Sequence, residues 1–349
     1  MITLTINGVP TLFIKAFNTS DVRAILSFVR EAASCHKGSG NQVLFIDTPI
    51  TPATIEAVAK LQAEPFKVVF RDQHGIDGAP SNDRERQVVA GTAKLQQLLG
   101  ADCHITVRRL HPACSTLVSV GEFADAVAII ADPDADGLTG AMKAAGISYA
   151  ELDDDAAKLD GEPQFQVTGS PISQLLAKGI AVMPSYDASK PKEREVAHQK
   201  LFSDWLKAVS GNDAALQRLQ KHTEAYDEAV KVSQKLASTA KVLAPGVFLV
   251  DVADGPLFDP GTLNGLLERD PDCRVIVLRK SLGPIAAIHR IQYSLAVAKA
   301  YQQIVNLFDL VPSDVKSDPE AGIISNVSFL LHTNEDVWRT HVLPGLQKI

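Results

Sequence analysis

Three apolar runs, VLFID at 43–47, FKVVFRD at 66–72 and AVAIIAD at 126–132, each end in an aspartate. Runs this short, continuously apolar and rich in β-branched residues, are strands buried on both faces, the habit of a parallel sheet covered by helices. The intervening segments supply those helices. DVRAILSFVREAAS follows a strand TLFIKAF at 11–17, and TPATIEAVAKLQ opens with Thr51, Pro52 and Glu56 in the pattern of a helix start. A third helix is predicted over 82–99, a short strand CHITV over 103–107, and a further helix near 112–121. The first part of the chain is therefore α/β, a parallel sheet with helices on both faces. Asp47, Asp72 and Asp132 fall at the carboxyl ends of its strands, where such sheets collect ligands.

A length of 349 residues suits two domains, each with its own core. The first is assigned to 1–185, a helical linker region to 186–242 and a smaller α+β domain to 243–349. ELDDDAAKLDGEPQ, after residue 150, reads as an acidic loop whose aspartates form a solvated turn or a helix start, and PSYDASKPKERE (184–195) as a linker. The stretch 195–242 is helical, with Leu201, Trp205, Leu206 and Val209 on one apolar face. Strands at 246–253, 274–281, 287–296 and 323–333 then suggest a mixed or antiparallel sheet.

The 41 acidic against 34 basic residues, net charge −7, exclude binding of bulk duplex nucleic acid by positive charge. Cys35, Cys103, Cys114 and Cys273 show no CxxC spacing, so they read as reduced thiols. No apolar run reaches the ~20 residues of a membrane span, and MITLTINGVPTLFIKAF reads as strand and turn rather than as a secretory signal. A cytoplasmic protein without a membrane partner is the expectation.

Chemistry concentrates in IIADPDADG, where Asp132, Asp134 and Asp136 alternate between a buried strand and a helix. Carboxylates this close repel one another when desolvated unless a cation joins them. A calcium-hand loop is excluded, because its twelfth position needs a bidentate glutamate and residue 143 is lysine. The purely structural reading is a helix cap and a turn around Gly137. In FRDQHG, Asp72 and His74 are ligand types suited to manganese, iron or zinc, and Asp47 ends the preceding strand in the same way.

In order along the chain, FIKAFNTSDVRA, VLFIDTP, FRDQHG and IIADPDADG resemble the motifs of the DHH phosphoesterases, which cleave phosphodiester or phosphoanhydride bonds with a pair of divalent metals. The resemblance spans about residues 10–150, with a loosely similar second domain. It implies metal ligation by Asp47, Asp72, Asp132 and Asp134, with Asn18 and Asp21 as remnants of the first motif. It implies catalytic roles for His74 and Asp132, a divalent metal such as manganese or magnesium, and a small nucleotide or short oligonucleotide as substrate. A homodimer is compatible with it. Two departures stand out: Gln73 replaces the first histidine of the Asp-His-His triplet, and the first motif has lost its histidine. A GGGH-like segment is also absent; RVIVLRKSLGPIAAIHR instead offers Arg279, Lys280, His289 and Arg290 to a phosphate, unless these line a solvated edge strand. His111 and Ser115 could meet an anion at a helix N-terminus, or simply cap that helix. The expected function is a metal-dependent phosphoesterase; the alternative is a diverged, inactive DHH-like protein serving as a binding or assembly module.

Overall fold

The computed structural model describes residues 1–38, 40–80, 83–161, 169–183, 192–252, 257–285, 288–302, 304–307, 328–333 and 338–348. The chain divides into two compact units, one formed essentially by residues 1–223 and the other by 224–349.

The first unit begins with a hairpin, β1 (Ile2–Ile6) and β2 (Val9–Phe13), paired antiparallel. Asn7 and Gly8, at φ 48° and 88°, form its two-residue turn, a left-handed pair that Asn-Gly supplies with least strain. After α1 (Thr19–Cys35) the chain alternates β3 (Gln42–Ile46), α2 (Pro52–Gln62), β4 (Lys67–Asp72), α3 (Asp83–Leu99) and β5 (Cys103–Ile105), and then reaches β6 (Ala128–Ala131). The strand order is β1-β2-β6-β3-β4-β5, and every pairing beyond the hairpin is parallel.

Alternation along the central strands builds two separate cores. Val43, Phe45, Val68, Phe70 and Ile130 face one side, packing on Ile25 and Val29 of α1, Val58 and Leu61 of α2, and Leu95 of α3. Leu44, Ile46, Val69 and Ile129 face the other, packing on Leu138 and Met142 of α4 (Ala135–Ala144), Leu176 of α6 (Pro171–Ala181) and Phe202 and Trp205 of α7 (Glu193–Val209). Helices thus cover both faces, as the continuously apolar strands required.

Three expectations change. The segment expected as a helix near 112–121 contains only one tight turn, Cys114–Leu117. Its polar backbone atoms go to partners elsewhere, the Cys114 amide to Asp136 and the Ser115 carbonyl to Lys143, instead of closing a helical ladder. ELDDDAAKLDG is not a loop but helix α5 (Leu152–Gly161), with Asp153, Asp154 and Asp155 in its first turn, where carboxylates meet the positive end of the helix dipole. The 186–242 linker is also redrawn. The apolar face of α7 belongs to the core of the first unit, and α8 (Asp213–Ala237) ends before residue 242 because 241–244 form β7. The unit boundary falls inside α8, between Thr223 and Glu224.

The second unit holds a mixed sheet, β7 (Lys241–Ala244), β8 (Val247–Asp251), β9 (Val275–Ile285), β10 (Ile288–Val297) and β11 (Ser328–Thr333), in the order β11-β10-β9-β8-β7. Only β8 and β9 run parallel. Tyr293 stacks face to face on Trp338 at 3.9 Å in its core. Among the described residues, no helix is long and apolar enough to cross a membrane.

Candidate metal centre

The site forms where the parallel strands of the first unit stop. Asp72 is the last residue of β4, and Asp47 and Asp132 directly follow β3 and β6. All three are buried, as is Asp136 in the first turn of α4. Asp47 has a left-handed backbone, φ 51°, although its amide still continues the ladder to the Arg71 carbonyl at 3.0 Å. Asp134 caps α4 through the Gly137 amide at 2.9 Å, so the helix-cap reading holds for this residue. A Cβ on Gly137 would run into the backbone of Asp132, which shows how closely α4 starts against the end of β6.

His74 is fixed by both backbone and side chain. Its segment is tied down by the Thr106 amide donating to the Asp72 carbonyl at 2.9 Å and the Gly75 amide donating to the Thr106 carbonyl at 2.7 Å. The ring places Nδ1 2.8 Å from Asp72 Oδ1 and 3.3 Å from Asp47 Oδ1. Its Nε2 meets the Arg108 guanidinium at 2.7 Å, and the same guanidinium is paired with Asp160 Oδ1 at 2.7 Å. Gln73 is completely buried behind this histidine. Its amide nitrogen donates to Asp136 Oδ2 at 2.6 Å and to Asp160 Oδ2 at 3.1 Å, while its carbonyl oxygen accepts from the Cys114 thiol. Asp136 also accepts from the Cys114 amide at 3.0 Å.

Crowding and burial set the proton affinities. Burial, reinforced by the charges of Asp134, Asp136 and Asp72, holds Asp47 well above the usual carboxylate range. Burial and then the charges of Asp160 and Asp134 do the same to Asp136. Asp132 is pushed up to about 7 by burial and by Asp134, against the opposing pull of Lys15, whose Nζ lies 3.2 Å from its Oδ2. Burial works against the His74 cation, but the hydrogen bond and charge of Asp72 outweigh it and raise its pKa.

A divalent cation fits this arrangement. Asp47 Oδ2, Asp72 Oδ2 and Asp132 Oδ1 are buried oxygens without a hydrogen-bond partner among the described residues, whereas buried polar atoms are normally paired. One ligand atom each of Asp47, Asp72 and His74 lie within 4.8 Å of one another, as do those of Asp47, Cys114 and Asp136. Carboxylate oxygens with one imidazole suit manganese or zinc, and the carboxylates alone suit magnesium.

Other sequence-based assignments are redirected. Asn18 and Asp21, expected as remnant ligands, form the capping box of α1. Asn18 accepts from the Ser20 and Asp21 amides and Asp21 from the Asn18 amide, with Asn18 exposed and Asp21 half-buried. His111 contacts Thr116 Oγ1 at 3.2 Å and stacks edge-on against His104, while Ser115 is fully buried in a turn too short to present a helix N-terminus. Arg279 is paired with Asp251 at 2.8 Å in the second unit. Lys280, His289 and Arg290 fall on β9 and β10, and their side chains lie outside the described residues.

Sequence reasoning assigned no role to Lys15, Arg108, Cys114 or Asp160. Lys15 follows β2 and Arg108 follows β5 within a few residues, so the strand-end rule that singles out the aspartates would have found both cations. Cys114 and Asp160 carry no such signal, because they reach the site from a tight turn and from α5.

No protein-family profile matches the chain, and no curated protein matches it. Among solved structures it is similar to a pGpG-specific phosphodiesterase, PggH, from Vibrio cholerae, at 12% identity over 84% of this chain and 94% of that one, with a TM-score of 0.41. It is also similar to exonuclease RecJ bound to manganese, at 12% identity over 91% of this chain and 77% of that one, with a TM-score of 0.36. Likenesses this distant carry no chemistry of their own; the residues at the strand ends have to supply it.

Proposed function

We propose that the chain is a divalent-metal-dependent phosphoesterase acting on a small nucleotide or a short oligonucleotide. The observation that carries this reading is the trio of partnerless buried oxygens on Asp47, Asp72 and Asp132. The substrate class rests on the motif order that resembles the DHH phosphoesterases. Asp47, Asp72 and His74 would hold the metal, manganese or magnesium, with Asp132 beside them. When bound, such a cation supplies charge neutralisation for the phosphoryl oxygens and lowers the pKa of water.

The rest of the site serves the phosphate. Lys15 and Arg108 are about half exposed, at 57% and 46%, and give a phosphate two cations at the rim of an otherwise negative site. His74 would ligate through Nδ1, the nitrogen that faces Asp72 and Asp47, which leaves Nε2 on the Arg108 side to orient substrate. In the metal-free site the Asp132 carboxyl is pushed up to about 7 and holds a proton close to neutrality, and a cation bound beside it would favour the ionised form.

A second reading, an inactive binding module, is favoured by Gln73, whose amide donates hydrogen bonds to carboxylates where the resembled triplet has a ligand. Hydrolysis of bis(p-nitrophenyl) phosphate and of a short oligonucleotide with manganese distinguishes the two. The wild-type chain should hydrolyse one of them and Asp132→Ala should lose about a hundredfold or more. Equal rates in the two proteins overturn the enzyme assignment, and manganese binding without hydrolysis supports the module.

A further inference from the structure

The buried carboxylates of the site divide into two poles that differ in how their oxygens are used. At one pole Asp47 Oδ2 and Asp72 Oδ2, from two residues that form a ligand group with His74, have no partner, and neither does Asp132 Oδ1 at the end of the adjacent strand. At the other, both oxygens of Asp136 are taken. Oδ2 accepts from the Gln73 amide at 2.6 Å and from the Cys114 amide at 3.1 Å, and Oδ1 accepts from the Cys114 amide at 3.0 Å. The Gln73 amide reaches Asp160 as well, and the Gln73 carbonyl oxygen receives the Cys114 thiol hydrogen. A primary amide nitrogen has hydrogens and no lone pair to offer a metal, and here they point at the carboxylates that a cation would need.

We infer that this chain holds a single divalent cation, at the Asp47, Asp72 and His74 pole, and that Gln73 closes the second pole by taking with N–H donors the carboxylate positions a second cation would occupy. Asp47 belongs to both ligand groups, so one cation at the first pole takes up the shared carboxylate, while at the second the uncharged Gln73 amide satisfies Asp136 by hydrogen bonding. The inference rests on the metal-dependent reading above and reduces to one the pair of metals that the resemblance implies.

Manganese titration by isothermal calorimetry, with bound metal counted after gel filtration, tests this. The wild-type chain should bind one Mn²⁺. Gln73→His replaces the donor by a nitrogen with a lone pair, frees Asp136 and should bind two. Asp136→Asn should stay at one, and Asp72→Asn should fall to none, with circular dichroism confirming that each variant folds. Two Mn²⁺ in the wild-type chain overturn the single-cation inference and leave the metal-dependent reading standing; none in the wild-type chain overturns that reading itself. A Gln73→His protein that still binds one shows that the amide does not close the second pole, and overturns its assigned role.

Discussion

Asp132 shows how a residue's place in the fold can be legible from sequence while its behaviour is not. Its position after an apolar strand is visible in AVAIIAD, but its proton affinity depends on burial, Asp134 and Lys15, which only folding brings together. A carboxyl with a raised folded pKa binds its proton more tightly in the folded chain than in the unfolded one. Its contribution to stability is therefore complete below about pH 4 and is lost as pH rises toward 7, by about 1.4 kcal/mol per pH unit for each such group. Metal binding removes those protons and has the opposite pH dependence. Melting temperatures measured in chelator and in manganese should thus diverge progressively between about pH 4 and pH 7, the manganese form gaining most at the upper end. A gap that shrinks over this range would show that these carboxyls are not the ligands. The difference between the two forms also cancels His198 on α7. Burial and then Arg194 lower its pKa to about 4, so it alone would lose stability as pH falls from about 6.5.

At the scale of elements, the strands of the first unit were readable because their apolar runs must be buried on both faces. The helices behind them were readable from period and caps. Two elements were not. The turn at 114–117 gives its backbone atoms to Asp136 and Lys143, and the acidic helix α5 gains from its dipole and from Ser170 and Ser173, which hydrogen-bond Asp155. Both depend on partners distant in sequence. The junction of β6 and α4 belongs to the same class, since nothing in IIADPDADG shows that Gly137 touches the Asp132 backbone. Gly137→Ala would normally favour a helix by about 1 kcal/mol, yet here it should destabilise the chain by about 1–3 kcal/mol, because backbone must move to admit the methyl. It should also weaken manganese affinity by shifting Asp132. Thermal melts together with a metal titration would show it, and a variant as stable and as tightly loaded as the wild type would refute the close approach.

For the molecule as a whole, two units with separate cores were expected from length, and the cation site described here lies entirely in the first, while the boundary inside α8 was hidden because a continuous helix carries no linker composition. The site also places a burden on the unit that contains it. Asp47 combines a left-handed backbone with a carboxylate buried among like charges, and few side chains tolerate that backbone: glycine, and asparagine among the larger ones. Asp47→Asn should abolish manganese binding and raise the melting temperature in chelator, by about 1–3 kcal/mol of stability; a variant less stable than the wild type in chelator would contradict this. Evolution toward heat resistance in the absence of metal would therefore erase this function before it damaged the fold. A library selected under those conditions should converge on asparagine or glycine at residue 47.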